Sequence, residues 1–249
     1  MSARRSGRLG VGVIGAGRVG PVLGAALAGA GHALTGISAI SAASRERAEV
    51  MLPGVPILTI PEIIERSELV LLAVPEDALA ALVEGLASTG AWQAGQLVVH
   101  TAARYGTAVL APATAAGVIP LAIHPAMSFT GTSLDLARLA EAWFAVTAPT
   151  PVQPIGQALV VEMGGEPVLI AEADRPAYAE AISTVSTFST AVIEQATRLL
   201  AGVGVESPGS VLGPLARSTV EDALSRAQPD SIDLADLPRD GFDELQEDS

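Results

Sequence analysis

Six residues near the N-terminus constrain this chain more than any other stretch: Gly15-Ala16-Gly17-Arg18-Val19-Gly20. They follow Leu9-Gly10-Val11-Gly12-Val13-Ile14, an apolar run that reads as a buried strand. They precede Pro21 to Ala30, which reads as a helix. Gly15 allows a tight turn, Gly17 lets the backbone approach a ligand phosphate, and Gly20 lets the helix lie close on the strand. The free N–H groups at the helix start, with the helix dipole, then favour an anion there. In this strand–turn–helix context the spacing is the one that holds a dinucleotide. Gly15, Ala16, Gly17, Arg18, Val19 and Gly20 are therefore assigned to its pyrophosphate.

The rest of the chain alternates between the same two kinds of element. Ala33 to Ile40 reads as a second strand, and Ile57 to Ile60 as a short extended piece before a helix at Pro61 to Arg66. Glu68 to Pro75 is continuous and apolar, as a parallel strand covered on both faces must be. A helix from Pro75 to about Leu86 follows, with Asp77 as its expected N-cap. Gln96 to His100, Val118 to His124, Ala142 to Thr147 and Pro167 to Ile170 read as further strands, with helices after His100 and over Pro154 to Gly164. The pattern then changes to two helices, Arg175 to Ala201 and Ser207 to Ala227, with no strand between. The fold class expected is α/β, an N-terminal doubly wound parallel sheet of the Rossmann type followed by a smaller all-helical domain. The boundaries expected are 1–172 for the sheet domain, 173–228 for a helical dimerisation or substrate domain, and 229–249 for an acidic, disordered tail.

Charge and composition narrow the function. The net charge is −13, which argues against nucleic acid and against anionic membranes as partners. From Glu221 to Ser249 ten acids face only Arg226 and Arg239, so −8 of the charge lies in the last stretch. No apolar run reaches the length of a membrane span. Cysteine is absent, which removes disulfides and thiolate chemistry and fits a cytoplasmic setting. Lysine is absent too: all fourteen basic residues are arginine, so no lysine acid or Schiff base is available. No His, Asp or Glu group has metal-ligand spacing.

The second strand selects the dinucleotide. An NAD site commonly places Asp or Glu at this strand tip to hold the ribose 2′-hydroxyl. Here the sequence is Ser41-Ala42-Ala43-Ser44-Arg45-Glu46-Arg47. Hydroxyls and guanidinium groups suit a 2′-phosphate, so NADP is expected over NAD, held by Ser41, Ser44 and Arg45. The structural alternative has Ser44 capping a helix while the arginines face water. Val74 and Pro75, at the end of the most apolar strand, complete the expected cofactor set.

Two histidines, His100 and His124, close strands at their carboxyl ends, where ligands of such sheets bind. Reduction of a carbonyl or imine needs a proton donor beside the hydride carrier, and a histidine can serve near neutral pH. His124 is the first candidate for the catalytic role and His100 the second; the structural alternatives are a His100 that caps the next helix or touches the cofactor without moving protons, and a His124 that only shapes its loop. Tyr178 and Ser128 are candidates to touch the substrate. Tyr178 could equally be a packed core residue, and Arg175 either a carboxylate anchor or a solvated side chain. His32, at a turn away from the ligand edge, reads as structural.

Gly15 to Gly20, Val74-Pro75-Glu76-Asp77, His100-Thr101 and His124-Pro125-Ala126-Met127-Ser128-Phe129-Thr130-Gly131 occur in the same order in a known family. Over about Leu9 to Leu224 the chain resembles the Rossmann-like proteins whose C-terminal half is a domain of unknown function (number twenty-five-twenty). That family is similar in architecture to ketopantoate reductase, pyrroline-5-carboxylate reductase and the 6-phosphogluconate dehydrogenase group. The resemblance implies an NAD(P)-dependent oxidoreductase that forms a homodimer through its C-terminal helices. The chain departs from the family where Ala102-Ala103 stand in place of Ser-Gly, and where Ala179 replaces a histidine after Tyr178. It departs again at Ser186-Thr187, at Glu221-Asp222, and in a closing region reduced to Pro238-Arg239-Asp240-Gly241. The expected function is NADP-dependent reduction of a small oxo acid or imine, in the manner of ketopantoate reductase. The alternatives are an NADP-binding structural or regulatory protein that has lost catalysis, and an enzyme like prephenate dehydrogenase.

Overall fold

The computed structural model describes residues 8–227, and within it the chain divides into two compact units, Met1–Thr184 and Val185–Ser249. The expected acidic tail and the Pro238 to Gly241 region lie outside the described residues.

The first unit is built on one seven-stranded sheet. In chain order its elements are β1 (Gly10–Ile14), α1 (Gly20–Gly29), β2 (Ala33–Ser38), α2 (Ala42–Met51), α3 (Ile60–Arg66), β3 (Leu69–Leu72) and α4 (Glu76–Ser88). Then come β4 (Leu97–His100), α5 (Ala111–Thr114), β5 (Ile119–Pro125), α6 (Leu134–Leu139), β6 (Trp143–Thr147), α7 (Gln153–Glu162) and β7 (Glu166–Leu169). The strand order is β2-β1-β3-β4-β5-β6-β7. The chain leaves β1 towards β2 and then crosses back to β3, so the order reverses beside β1. That reversal opens a crevice at the strand ends.

β3 and β4 are buried at every position, which is why they read as unbroken apolar runs. Alternate strand residues feed two cores. Val11, Val13, Leu71, Val99 and Leu121 pack with Val22 and Leu23 of α1 and Leu159 of α7. Ile14, Val70, Leu72 and Val98 pack on the other face with Ile63 of α3 and Leu79 and Val83 of α4.

The sheet is not parallel throughout. β1 to β5 are parallel, but β6 runs antiparallel to β5, with His124 opposite Ala145 and Pro125 opposite Phe144. The backbone explains this. Ala126 N donates to Trp143 O, so the chain folds back on β5 after a long excursion rather than crossing over the sheet. Ile57 lies in the extended piece expected and makes an isolated bridge to Ile37. Two smaller expectations also change. The stretch after His100 is an irregular loop followed by a short 3₁₀ turn and α5, not one helix to Ala116. Pro75, not Asp77, occupies the N-cap of α4, and Asp77 sits in the first turn beside the helix dipole.

Two helices follow, α8 (Arg175–Gly202) and α9 (Pro208–Ala227). α8 begins in the first unit, and its residues from Val185 onward belong with α9 to the second. A cleft of about 640 Å³ in the second unit is lined by Phe188, Val192 and Ile193 of α8 and by Leu212, Leu215 and Val220 of α9. No residue of α9 is buried.

Candidate functional site

The glycine turn takes the shape its sequence demands. Gly15 has φ +109°, and a Cβ there would strike Ala73 O at the end of β3. A Cβ on Gly20 would strike Gly15 O and crowd Ala73 and Val13. Only glycine fits either place. Gly17 differs: a Cβ there would meet nothing within 4 Å, so its backbone faces open space. α1 starts without a side-chain cap, leaving its first N–H groups free for an anion. These features fit the pyrophosphate of a dinucleotide.

Neighbouring elements fix this turn. Ser38 at the end of β2 accepts from Gly15 N at 3.0 Å. Arg47 Nη1 donates to Ala16 O at 2.9 Å, tying α2 to the turn. Gly131, in the loop after β5, approaches Arg18. Val74 is half-buried beside Gly15 and Pro75 is exposed. At α2, Ser41 rather than Ser44 is the N-cap, because Ser41 Oγ accepts from Ser44 N at 3.1 Å, and Ser44 Oγ donates back to Ser41 O. Ser41 and Arg45 remain exposed, and Ser44 is half-buried.

A second cluster forms at the same edge of the sheet. Ile14 pairs with Leu72, Leu72 with His100 and His100 with Ala122, so β1, β3, β4 and β5 all discharge their chains on one side. His100 and His124 fall on one face of the sheet, since Ala122 is level with His100 and His124 lies two residues further along. Their situations differ. His100 is fully buried, with Nε2 2.8 Å from Gly106 O and Nδ1 accepting from Ala102 N at 3.2 Å. Both ring nitrogens are used inside the loop, and burial pushes its pKa down to about 4. It fixes the loop after β4 and has no nitrogen to spare for a ligand.

His124 is half-buried, and its Nδ1 lies 2.8 Å from Tyr178 Oη, with the rings edge to face. Its Nε2 has no hydrogen-bond partner among the described residues. Burial, then the Arg175 guanidinium, lower its pKa to about 4, so it is neutral near pH 7. Burial raises the Tyr178 phenol above its usual value, and Arg175 opposes that rise. Tyr178 is thus half-buried at the ligand edge with its hydroxyl against a histidine. Ser128 is exposed in the loop after β5.

Arg175 corrects both readings of its sequence position. It is neither solvated nor free to hold a substrate carboxylate, because it is completely buried. Its Nε donates to Thr147 Oγ1 at 2.7 Å, and Nη2 donates to Ala122 O at 2.8 Å and Ala145 O at 3.1 Å. Nothing local in the sequence announces this, since its acceptors lie on β5 and β6. Nor does the sequence pair His124 with Tyr178, which stand 54 positions apart. Sequence reasoning also missed Glu172, whose carboxylate accepts from Thr107 N at 2.7 Å and Ala108 N at 3.2 Å and so holds the turn that His100 braces. His32 is structural as expected: it accepts from Leu9 N and meets Glu162 at 2.9 Å.

The chain matches the Rossmann-like domain over residues 1–125 and the domain of unknown function DUF2520 over residues 142–232. No curated protein matches it in sequence. Solved structures share its fold. One is a Bacteroides fragilis protein assigned as an NADP oxidoreductase, at 19% identity and TM-score 0.71, over 89% of this chain and 84% of that one. A second is the 1-pyrroline-5-carboxylate reductase of Streptococcus pyogenes, at 18% identity and TM-score 0.65, over 90% and 82%. A third is the imine reductase of Myxococcus stipitatus in complex with NADP+, at 21% identity and TM-score 0.63, over 88% and 77%. With an N-terminal half that carries the glycine turn and a C-terminal half that carries Tyr178, the chain belongs to the Rossmann-like family that continues into DUF2520.

Proposed function

We propose that the protein is an NADP-dependent oxidoreductase that reduces a small molecule at a C=N or C=O bond, an imine or an oxo acid. One observation carries this reading: an open glycine cradle and a Tyr178–His124 pair leave the sheet at the same edge. The cradle would hold the pyrophosphate through backbone N–H groups of Ala16 to Gly20. Ser41 and Arg45, exposed at the start of α2 with no acid at the tip of β2, would meet the 2′-phosphate. The NADP+ complex of the imine reductase with this fold supports the same choice of cofactor. Bound NADPH supplies a hydride. Tyr178 supplies the proton to the substrate heteroatom, and His124 orients the phenol. His100 serves the loop rather than the reaction.

The test is calorimetric titration with NADPH, followed by NADPH oxidation against a panel of cyclic imines and 2-oxo acids. Sub-millimolar binding and turnover are expected. Tyr178→Phe should keep the binding and lose about a hundredfold or more in kcat, the range of a general acid. Failure to bind NADPH would sink the proposal, and binding with no turnover of any substrate would indicate a protein that has lost catalysis. A homodimer through α8 and α9 belongs to the same proposal, supported by the apolar cleft between them.

A further inference from the structure

Arg175 is a charged side chain in a place where charge is costly. It is fully buried, and it makes no salt bridge among the described residues. Its hydrogen-bond acceptors are neutral: three backbone oxygens, of Ala122, Ala145 and Ala103, and the Thr147 hydroxyl. A clamp between β5, β6 and the loop after β4 needs donors, not a net positive charge. Buried charges are normally paired, because desolvation penalises them heavily. The charge instead faces the Tyr178 ring, with the guanidinium carbon 5.8 Å from its centroid, and the Glu172 carboxylate acts on it only from beyond salt-bridge distance.

We propose that Arg175 is a positioning residue whose charge, free of any salt bridge and held 5.8 Å from the Tyr178 ring, stabilises the phenolate left when Tyr178 gives up its proton. This rests on the reading of Tyr178 as proton donor. With His124 as the Nδ1–H tautomer, the imidazole donates to Oη and leaves the phenol O–H free to point at substrate. In the step served, the Tyr178 O–H bond breaks and its proton goes to the substrate nitrogen or oxygen. The substrate carbon receives the hydride, with oxidation of the dinucleotide. The phenolate then recovers its proton from solvent, which supplies the one proton that reduction by a hydride consumes, and His124 keeps its own proton on Nδ1.

The groups bearing on Tyr178 are Arg175 on its own helix and His124 on β5. Glu172 bears on Arg175, and His100 on His124. The two kinds of role for Arg175 give opposite signs. If Arg175 only held the fold, removing it would open the site, and Tyr178 would fall back towards its ordinary value of 10.0. If the charge acts on the phenolate, removing it would raise the Tyr178 pKa further.

The chain has two tyrosines, so Tyr105→Phe leaves Tyr178 as the sole phenol. In that background, ultraviolet titration of the protein without cofactor reads Tyr178 directly. Arg175→Gln, which keeps an amide donor but no charge, should raise its pKa by about one unit or more. Thr147→Asp, which sets a carboxylate against Nε with the guanidinium still in place, should move it the same way. Arg175→Lys should stay nearer the parent. Near-ultraviolet circular dichroism checks that each variant is folded. An unchanged or lowered Tyr178 pKa in folded Arg175→Gln overturns the proposal. If that variant does not fold, the same result in Thr147→Asp overturns it. No cofactor enters the titration, so the oxidoreductase reading is tested apart. A raised pKa alongside full turnover by Tyr178→Phe would overturn the donor role and leave the electrostatic coupling standing.

Discussion

Gly17 and Gly20 stand three positions apart in one motif and answer to different constraints. Gly20 serves packing, since a Cβ there would run into Gly15 O and the side chains of Ala73 and Val13. Gly17 has no such packing duty, since a Cβ there would touch no protein atom within 4 Å and its φ is outside the left-handed region; under the proposed function it serves the ligand. The two alanine variants should therefore separate stability from binding. Gly20→Ala should lower stability by about 1–3 kcal/mol, the range for overpacking a tight site. Gly17→Ala should leave stability within about 0.5 kcal/mol, as for an unstrained surface change. It should nonetheless weaken NADPH binding roughly tenfold or more, which is about 1.4 kcal/mol. Thermal melts and calorimetry of both proteins check this. A Gly17→Ala protein that binds NADPH like the wild type would show that the pyrophosphate does not lie on this turn.

Elements were legible in the sequence where a short-range pattern determined them. β1, β3 and β4 show as apolar runs because both of their faces are covered, and α1 shows because its glycines let it cross β1 closely. The strand-end positions of His100 and His124 followed from the same patterns. What the patterns could not carry was direction and partnership between distant residues. β6 reads as a strand in either direction, and only its hydrogen bonds to β5 make it antiparallel. Arg175 looks like a surface residue until β5 and β6 supply its acceptors. The loop between β5 and α6 is a further case. Asp135 is completely buried and accepts from Thr130 N and Gly131 N, each at 2.8 Å, and from Thr130 Oγ1 at 3.0 Å. Burial alone would raise its pKa, but the bond from Gly131 N and those from Thr130 outweigh burial and keep it below the usual value. One carboxylate thus shapes the loop that brings Gly131 to Arg18. Asp135→Ala would leave two backbone donors without their acceptor and should cost about 1–3 kcal/mol. Hydrogen exchange at Thr130 and Gly131 should speed up more than in the sheet. Unchanged protection at those two amides would rule out this role for Asp135.

At the scale of the whole molecule, the two units treat apolar residues differently. The first sinks them into two cores, one on each face of its sheet. The second has only the end of α8 and α9 among its described residues, and a pair of helices has no further layer in which to bury both apolar faces. Phe188 is 65% exposed, Val192 64% and Leu215 63%, around the same cleft. Apolar surface gathered in this way on a folded chain marks an interaction site rather than ordinary surface. In the proposal made above the partner is a second copy, because a two-fold interface sets the same patch against itself. Phe188 lines the cleft, so it is the residue to test. Burying one phenylalanine contributes about 1.5–3 kcal/mol, and a two-fold interface counts each substitution twice. Phe188→Asp should therefore weaken association by at least about a hundredfold. Sedimentation velocity at micromolar concentration should show wild type as a dimer and the variant as a monomer. A monomeric wild type, or a Phe188→Asp protein that stays dimeric, would remove these helices as the interface.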